Sequence, residues 1–378
     1  MIRRRYDTIV VGVGAMGSAA CHHLARRGRR VLGLEHYGVP NEMGSSHGVN
    51  RIIRLAYYEH PAYVPLLRRA YELWRRLEVE SGDELLHVTG SIDASAPDDE
   101  IIRGALHACE LHDIPHVLCT STELALRFPG YRLPPDHLAL FQPDGGFLAS
   151  GKCIEAHARL AQAAGAEIHA HERVLGWDLV PGGVRVRTVD DDYEADRVIV
   201  SAGAWLGELL PSLQALARPE RQVLGWFEPL VPEYFEPGVF PVFNVAVEEG
   251  RYYGFPAFGI PGFKVGRYHH LGEQIETPDS WNREPAAADE TVLREFTERY
   301  FPEAAGPLLA AQACMFTNTP DEHFIVDTLP GAERVIVASP CSGHGFKFSS
   351  VIGEILADLA TDGTTRHDID LFRLARFR

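Results

Sequence analysis

Residues 6–35, YDTIVVGVGAMGSAACHHLARRGRRVLGLE, contain the pattern that decides the fold of this chain. The β-branched run at 6–12 predicts a strand buried on both faces, because strands covered by helices lose the alternation of polar and apolar residues. The segment 15–28 predicts a helix that ends at Gly28, and 30–35 predicts a second strand. Strand, glycine-rich turn, helix and strand together form the βαβ unit of a dinucleotide-binding domain.

Three glycines in the turn, Gly12, Gly14 and Gly17, have the spacing GxGxxG. The first allows the tight turn, the second lets a pyrophosphate approach the backbone, and the third lets helix and strand pack closely. The pyrophosphate would lie at the helix N-terminus, where free N–H groups favour negative charge. Glu35 ends the second strand, where an acidic residue binds ribose hydroxyls. Because an acid disfavours a 2′-phosphate there, the motif predicts FAD or NAD rather than NADP.

Length and composition limit the other possibilities. The chain has 378 residues, and domains hold roughly 150 residues each, so two domains are expected. The net charge of −16 disfavours nucleic acid and anionic membranes as partners, because both are negatively charged. The cysteines lack metal-binding spacing, so no metal site is expected. No stretch approaches the roughly 18 apolar residues of a membrane span, and no signal peptide is recognisable, which predicts a cytoplasmic protein.

The remaining elements suggest how the two domains are assembled. Helices are predicted at about 60–81, 151–165 and 349–362, and strands at 166–171, 184–189, 197–203 and 334–340. The α/β signals predict a Rossmann-like, glutathione-reductase-type domain formed by 1–85, 150–220 and 320–378. The other parts, 86–149 and 221–319, predict a mainly antiparallel β domain that is inserted into the first and holds the substrate. The expected fold class is therefore α/β plus α+β.

Three further segments favour FAD over NAD. GSSHGVNRIIR (44–54) is a Gly/Ser-rich loop with two arginines, suited to phosphates and an anionic ring. VIVSAGAW (198–205) predicts a strand that runs into a turn allowing close backbone approach. CSGHGFKFSS (341–350) predicts a glycine-rich turn that opens the last helix and can face an anion.

In these segments the chain resembles the family of monomeric sarcosine oxidases and N-methyl-L-tryptophan oxidases, within the D-amino-acid-oxidase-like FAD-dependent amine oxidases. The resemblance extends over the whole chain and is most specific in GSSHGVNRIIR, YYGFP with GFKVG (252–266), CMFTNTPDEHFIVD (314–327) and SGHGFKFSS (342–350). It implies FAD as the cofactor. It also implies oxidative demethylation of an N-methyl amino acid such as sarcosine, with O₂ and water, to the demethylated amino acid, formaldehyde and H₂O₂.

The resemblance also implies roles for individual residues. Cys314 matches the cysteine that holds FAD through a thioether to the 8α carbon. Lys264 matches the lysine that activates O₂, where a fixed ammonium stabilises the developing superoxide. Arg54 and Lys347 match the pair that binds the substrate carboxylate, one through a fork of N–H donors and one as a point charge. Arg51 matches an arginine on the flavin side of the site.

Other matches leave alternatives open. His269 matches an active-site histidine, but the segment GRYHHLGE is one residue longer than in sarcosine oxidases, so His270 remains an alternative. Tyr253 matches a tyrosine that lines the substrate cavity, although a packed strand aromatic is the simpler interpretation. Phe316 stands where sarcosine oxidases carry tyrosine, and Asn244 where they carry methionine. Both changes alter the polarity of the pocket and argue against strict sarcosine specificity.

The residues expected to contact FAD are Gly12, Gly14, Gly17, Glu35, Ser45, Arg51, Val174, Ala202, Gly203, Cys314, Gly343, Gly345 and Lys347. The expected partners are an N-methyl amino acid and O₂, with no nucleic acid and no membrane, and the family implies a monomer. The alternatives within enzymes are an N-methyl-L-tryptophan oxidase, an oxidase of cyclic amines of the pipecolate or proline type, and a dehydrogenase that passes electrons to a carrier. A non-catalytic flavin-binding protein would leave the paired cations and Lys264 without a role.

Overall fold

The computed structural model describes residues 5–378, so residues 1–4 of the expected first domain lie outside it. The α-helices of the described chain are α1 (Ala15–Arg26), α2 (Tyr63–Ser81), α3 (Glu100–Leu111), α4 (Ser121–Arg127), α5 (Ser150–Ala163), α6 (Leu206–Leu209), α7 (Ala287–Tyr300) and α8 (Ser349–Asp362). The strands are β1 (Arg5–Val11), β2 (Val31–Leu34), β3 (Asn50–Ile53), β4 (Leu86–Val88), β5 (Ser91–Ser95), β6 (Val117–Thr120), β7 (Leu138–Gln142), β8 (Gly146–Ala149), β9 (Glu167–His169), β10 (Val174–Val180), β11 (Gly183–Thr188), β12 (Asp192–Val200), β13 (Arg218–Phe227), β14 (Val242–Val247), β15 (Gly250–Phe255), β16 (Phe263–Arg267), β17 (Leu308–Asn318), β18 (Ile325–Leu329) and β19 (Ala332–Ser339).

The first sheet is organised around the β-branched strand at the start of the chain. β1 lies between β12 and β2 and is parallel to both, and the full order is β10-β11-β12-β1-β2-β9, with β19 also paired to β12 and β18 to β19. Helix α1 packs against α5 and α8. Ile9 and Val10 are both completely buried, as a central strand with two covered faces requires.

The second sheet is mainly antiparallel. Its order is β17-β13-β16-β15-β14-β5-β7-β6, and only the β14–β5 pair within this described sheet is parallel. A cluster of buried aromatic side chains, including Phe227, Phe243 and Phe263, joins this sheet to α7. A small third sheet, β3-β8-β4, carries Arg51 on β3.

The α/β plus antiparallel β fold class is confirmed. The predicted strands and helices occur within a few residues of their expected bounds; for example, the helix expected at 349–362 is α8. The first sheet takes its strands from 5–34, 167–200 and 325–339, and the second from 91–142 and 218–318. The domain division itself stays a prediction.

Candidate functional site

A cavity lies at the carboxyl ends of the parallel strands of the first sheet, where ligands bind in open α/β sheets. We call it the first cavity. Its lining includes Val11 at the end of β1, Leu34 at the end of β2, and Ser201 and Pro340 just after β12 and β19. The predicted cofactor residues that line it are Gly12, Gly14, Glu35, Ser45, Arg51, Val174, Ala202, Gly203, Gly343 and Gly345.

The glycines of the first turn have distinct spatial roles. A Cβ on Gly17 would lie 1.9 Å from the carbonyl oxygen of Gly12, so Gly17 permits the contact between helix and turn and does not itself line the cavity. A Cβ on Gly14 would have no heavy atom within 4 Å. Gly14 therefore borders open space at the N-terminus of α1, where helix N–H groups can receive a pyrophosphate.

Glu35 is held in place by backbone donors. Its carboxylate accepts hydrogen bonds from the N–H of Val13 at 2.8 Å and from the N–H of Tyr37 at 2.9 Å. Burial raises the pKa of Glu35, and the two N–H donors oppose that rise by favouring the ionised form. Each carboxylate oxygen can accept a second hydrogen bond, so Glu35 can still bind ribose hydroxyls.

Aromatic residues that the sequence analysis did not select lie beside Glu35. The Tyr37 hydroxyl and the Trp205 indole N–H both donate to Asp279, at 2.9 and 2.6 Å, and both rings line the first cavity. Their flat apolar surfaces suit a stacked base. Trp205 directly follows the turn at 201–204, and this position in the sequence could have identified it as a residue that contacts the cofactor. Open space at Gly14, a fixed acid and these rings fit the ADP part of FAD.

A second, smaller cavity adjoins the first. It has a volume of about 30 Å³, and Arg51, Gly343 and Phe346 line both cavities. Of the predicted substrate residues, Arg54, Lys347, Tyr253 and Asn244 line the second cavity, together with Tyr268. The structure thus brings together residues separated by almost 300 positions in the chain.

Arg54 is the most constrained cation of the second cavity. It is 1% exposed, and its guanidinium donates to Ala56 O and to both carboxylate oxygens of Glu59, at 2.9 and 2.8 Å. Its Nε lies 3.6 Å from Asp93 Oδ1. Burial by itself raises the pKa of Glu59, but the charge of Arg54, with smaller contributions from His344 and Lys347, lowers it to about 2.

Lys347 supplies the second positive group. Burial and the charge of Arg54 lower its pKa to about 7, so its charge responds to a bound anion near neutral pH. Its Nζ donates to the carbonyl oxygen of His344 at 2.7 Å. Among the described residues no second acceptor is within reach, which leaves two N–H groups of the ammonium for a ligand.

Lys264 and Cys314 are buried and line neither cavity. Lys264 Nζ donates to Gly48 O at 2.5 Å, Asn50 O at 3.1 Å and Asn50 Oδ1 at 2.7 Å. Burial lowers the pKa of Lys264 well below its usual value, whereas three oxygens in hydrogen-bond distance favour the ammonium. Cys314 packs with Leu224 and Trp226, and burial raises the pKa of its thiol.

Phe316 connects the two cavities. It lines the first cavity, and its ring centroid lies 5.8 Å from that of Tyr268, which lines the second. It also packs against Gly343, where a Cβ would lie 2.5 Å from the Phe316 ring. Arg51 lies at the same junction and donates to Asn50 O, Ser45 O and His47 O.

His269 and its alternative His270 line neither cavity, and the active-site role of either residue stays a prediction. β16 ends at Arg267, and both histidines have positive φ, 56° and 26°, in the turn that follows. Both rings contact acidic side chains: His269 binds Glu220 and Glu322, and His270 binds Asp289 at 2.8 Å. Tyr268, the residue directly after β16, lines the second cavity instead.

Two further features of residues 5–378 concern metal ions and membranes. No group of three or more His, Cys, Asp or Glu side chains in that range is arranged to hold a metal ion. No helix in that range is both long and apolar enough to cross a membrane.

Comparison with known proteins agrees with this geometry. The sequence profile of the family described as FAD dependent oxidoreductase matches residues 7–359. The chain is 42% identical to a monomeric sarcosine oxidase of Bacillus sp. (strain NS-129), over 98% of this chain and 97% of that protein. It is 37% identical to the N-methyl-L-tryptophan oxidase of Yersinia pestis (strain Pestoides F), over 99% and 100%.

A solved structure is also similar over nearly the whole chain. The open form of NikD, an unusual amino acid oxidase essential for nikkomycin biosynthesis, superposes with a TM-score of 0.85 at 26% identity. The superposition covers 98% of this chain and 97% of NikD.

Proposed function

The chain belongs to the family of FAD dependent oxidoreductases, and from this premise we propose that it oxidatively demethylates a small N-methyl amino acid with O₂ and water. The observation that carries the proposal is the pair of buried cations, Arg54 and Lys347, in a small cavity that shares lining residues with the first cavity. A carboxylate is the natural ligand of such a pair. The products would be the demethylated amino acid, formaldehyde and H₂O₂.

FAD, when bound, accepts two electrons from a carbon–nitrogen unit and passes them to O₂. The residues that would hold its ADP part are the turn at Gly12–Gly17, Glu35 and the rings of Tyr37 and Trp205. Arg51, Gly343 and Phe346 border the passage to the second cavity. The chain's own contribution is to bind the carboxylate and to place the N-methyl carbon towards that passage.

Lys264 is proposed to favour the reduction of O₂. Its three acceptors fix the ammonium in one position. Because they are all carbonyl or amide oxygens, they can support a positive charge without neutralising it, and a fixed positive charge stabilises a developing anion.

A covalent link between FAD and Cys314 is a further part of the proposal. The next two residues on β17, Met315 and Phe316, line the first cavity, so Cys314 directly precedes part of that lining in the chain. Acid precipitation of the purified holoenzyme tests the link. Yellow colour should stay in the pellet of the wild type and move to the supernatant in Cys314→Ala; colour released by the wild type would refute the link.

The size of the second cavity favours a small substrate. It is smaller than the first cavity, and the bulky side chains of Tyr253, Phe255, Tyr268 and Phe346 lie in its lining. Sarcosine-like substrates are therefore favoured over N-methyl-L-tryptophan. Cyclic amines remain an alternative, and they release no formaldehyde.

One experiment tests the activity. Purified holoenzyme is supplied with sarcosine, N-methylalanine, N-methyl-L-tryptophan, proline and pipecolate, and H₂O₂ and formaldehyde are measured together. Equal amounts of both products from the small N-methyl amino acids support the proposal. Turnover that needs an added electron acceptor would indicate a dehydrogenase, and H₂O₂ without formaldehyde would indicate ring oxidation. We also propose that the protein is a monomer and that it lies in the cytoplasm. The name of the monomeric sarcosine oxidase relatives supports the monomeric state.

A further inference from the structure

Asp93 is a buried carboxylate to which no role has been given so far. It lies on β5 and is 0% exposed. Its Oδ2 has no hydrogen-bond partner among the described residues, and burial raises its pKa to about 6. A charged group buried in a strand is costly unless it is paired, so its neighbours indicate its role.

Asp93 lies in a row of residues that crosses the second sheet. Asn244 on β14 is directly opposite Asp93 on one side and opposite Tyr253 of β15 on the other. Residues opposite one another in neighbouring strands point to the same face. Asn244 and Tyr253 both line the second cavity, so Asp93 lies behind that lining.

One oxygen of Asp93 faces two side chains of the cavity. Asp93 Oδ1 accepts a hydrogen bond from Asn244 Nδ2 at 3.0 Å and lies 3.6 Å from Arg54 Nε. Because a carboxylate can only accept, it determines which end of the Asn244 amide faces it. The amide nitrogen points to Asp93, and the amide oxygen is left on the cavity side, where no described residue donates to it.

A bound substrate would bring its amine nitrogen close to this oxygen. An amino acid held by its carboxylate on Arg54 has its nitrogen only two bonds from the carboxyl carbon, so the nitrogen lies among the residues that line the same cavity. Among the side chains of the described lining, the tyrosine hydroxyls can also donate, and both ring nitrogens of His344 are bonded to Tyr57 and Glu322. Asn244 Oδ1 therefore remains as a free acceptor that carries no proton.

We propose that Asn244 is a specificity residue that accepts a hydrogen bond from the substrate amine N–H, and that Asp93 is a positioning residue that orients the Asn244 amide. This rests on the proposed function. A neutral secondary amine has one N–H and keeps its lone pair free for oxidation. A neutral tertiary amine has no N–H and would leave the amide oxygen unpaired. The site therefore selects secondary N-methyl amino acids over N,N-dimethylated ones.

The test compares sarcosine with N,N-dimethylglycine. Asn244→Leu keeps the shape of the side chain and removes the acceptor, so steric exclusion of the second methyl group is unchanged. The ratio of the two kcat/KM values should fall about tenfold in Asn244→Leu, the usual effect of one hydrogen bond. Asp93→Asn should lower the same ratio, because the Asn244 amide loses its fixed orientation.

Asp289→Asn is the matched control. Asp289 is 1% exposed and pairs with Arg221, so its change perturbs a buried ion pair that lines neither cavity. The substrate ratio should be unchanged in this variant even if its stability falls. An unchanged ratio in Asn244→Leu, or an equal fall in Asp289→Asn, would overturn the inference.

A binding measurement separates this inference from the proposed function. Pyrrole-2-carboxylate and furan-2-carboxylate differ only by N–H against oxygen, and their Kd values for the holoenzyme can be measured by calorimetry without turnover. The wild type should prefer the pyrrole about tenfold, and Asn244→Leu should lose that preference. If this preference is found but no N-methyl amino acid yields H₂O₂, the proposed function alone is refuted. If the wild type and Asn244→Leu show the same preference, the inference alone is refuted.

Discussion

The most direct perturbation of the second cavity is Arg54→Met, which removes its deepest cation and keeps most of its length. Arg54 faces two carboxylates, Glu59 and Asp93, and donates to the carbonyl of Ala56. Without the guanidinium, two negative groups remain in the buried space where the substrate carboxylate must bind. We therefore expect the variant to lose substrate binding and to lose stability, for the same electrostatic reason.

The expected magnitudes follow from burial. Loss of one partner of a buried, hydrogen-bonded charge pair costs about 2–5 kcal/mol in binding. At 1.36 kcal/mol per factor of ten, kcat/KM should fall about 30- to 5,000-fold, mainly through KM. The free energy of unfolding should fall by about 3–5 kcal/mol, because Glu59 and Asp93 lose their counter-ion.

The assay is steady-state H₂O₂ production over a range of sarcosine concentrations, with urea unfolding of the same preparations. Arg221→Met is the control, since Arg221 is 4% exposed and paired with Asp289 but lines neither cavity. It should lose stability and keep its KM. If Arg54→Met keeps bound flavin and its KM stays within threefold of the wild type, Arg54 does not bind the carboxylate.

Three other predictions concern different parts of the molecule. Gly14→Ala should fold normally but bind FAD weakly, whereas Gly17→Ala should also fold poorly, because only the Cβ at position 17 meets backbone, at 1.9 Å from Gly12 O. Thermal unfolding with and without FAD distinguishes the two variants. Lys264→Met should slow flavin reoxidation by O₂ about 100-fold or more and leave anaerobic reduction by sarcosine intact, as stopped-flow absorbance would show. The pKa of His269 is raised to about 9 by its hydrogen bonds to two glutamates, so its stabilisation is complete below about pH 6.5 and is lost as pH rises through 9. Since the side chain is 46% exposed, His269→Gln should destabilise by no more than about 1 kcal/mol at pH 6 and not at pH 10, in urea titrations.

The part of the site that could be predicted from sequence is the part built from neighbouring residues. Gly12, Gly14, Gly17 and Glu35 lie within one βαβ unit, and the geometry of such a unit follows from its local pattern. Asp93 could not be predicted in this way. Its segment, SIDAS, gives one available signal, a charged residue within a strand, but its contact with Asn244 depends on a strand pair separated by about 150 residues in the chain.

The histidines show the same limit at a smaller scale. A strand that continued beyond Arg267 would alternate its side chains and would present residue 270 on the face of Lys264 and Tyr268. The chain instead turns at His269 and His270, where φ becomes positive, and neither ring reaches a cavity. A shift of one residue decides which side chain lines the cavity, and a sequence motif does not locate the end of a strand to within one residue.

Sequence alone is therefore enough for the nucleotide-binding fold, because the decisive contacts join residues close together in the chain. The tertiary structure decides which side chains surround the substrate. It places Arg54, Asn244, Tyr268 and Lys347 around one cavity because strands of two sheets and a turn near the C-terminus meet there. That meeting depends on how whole sheets pack, and packing is a property of the complete chain.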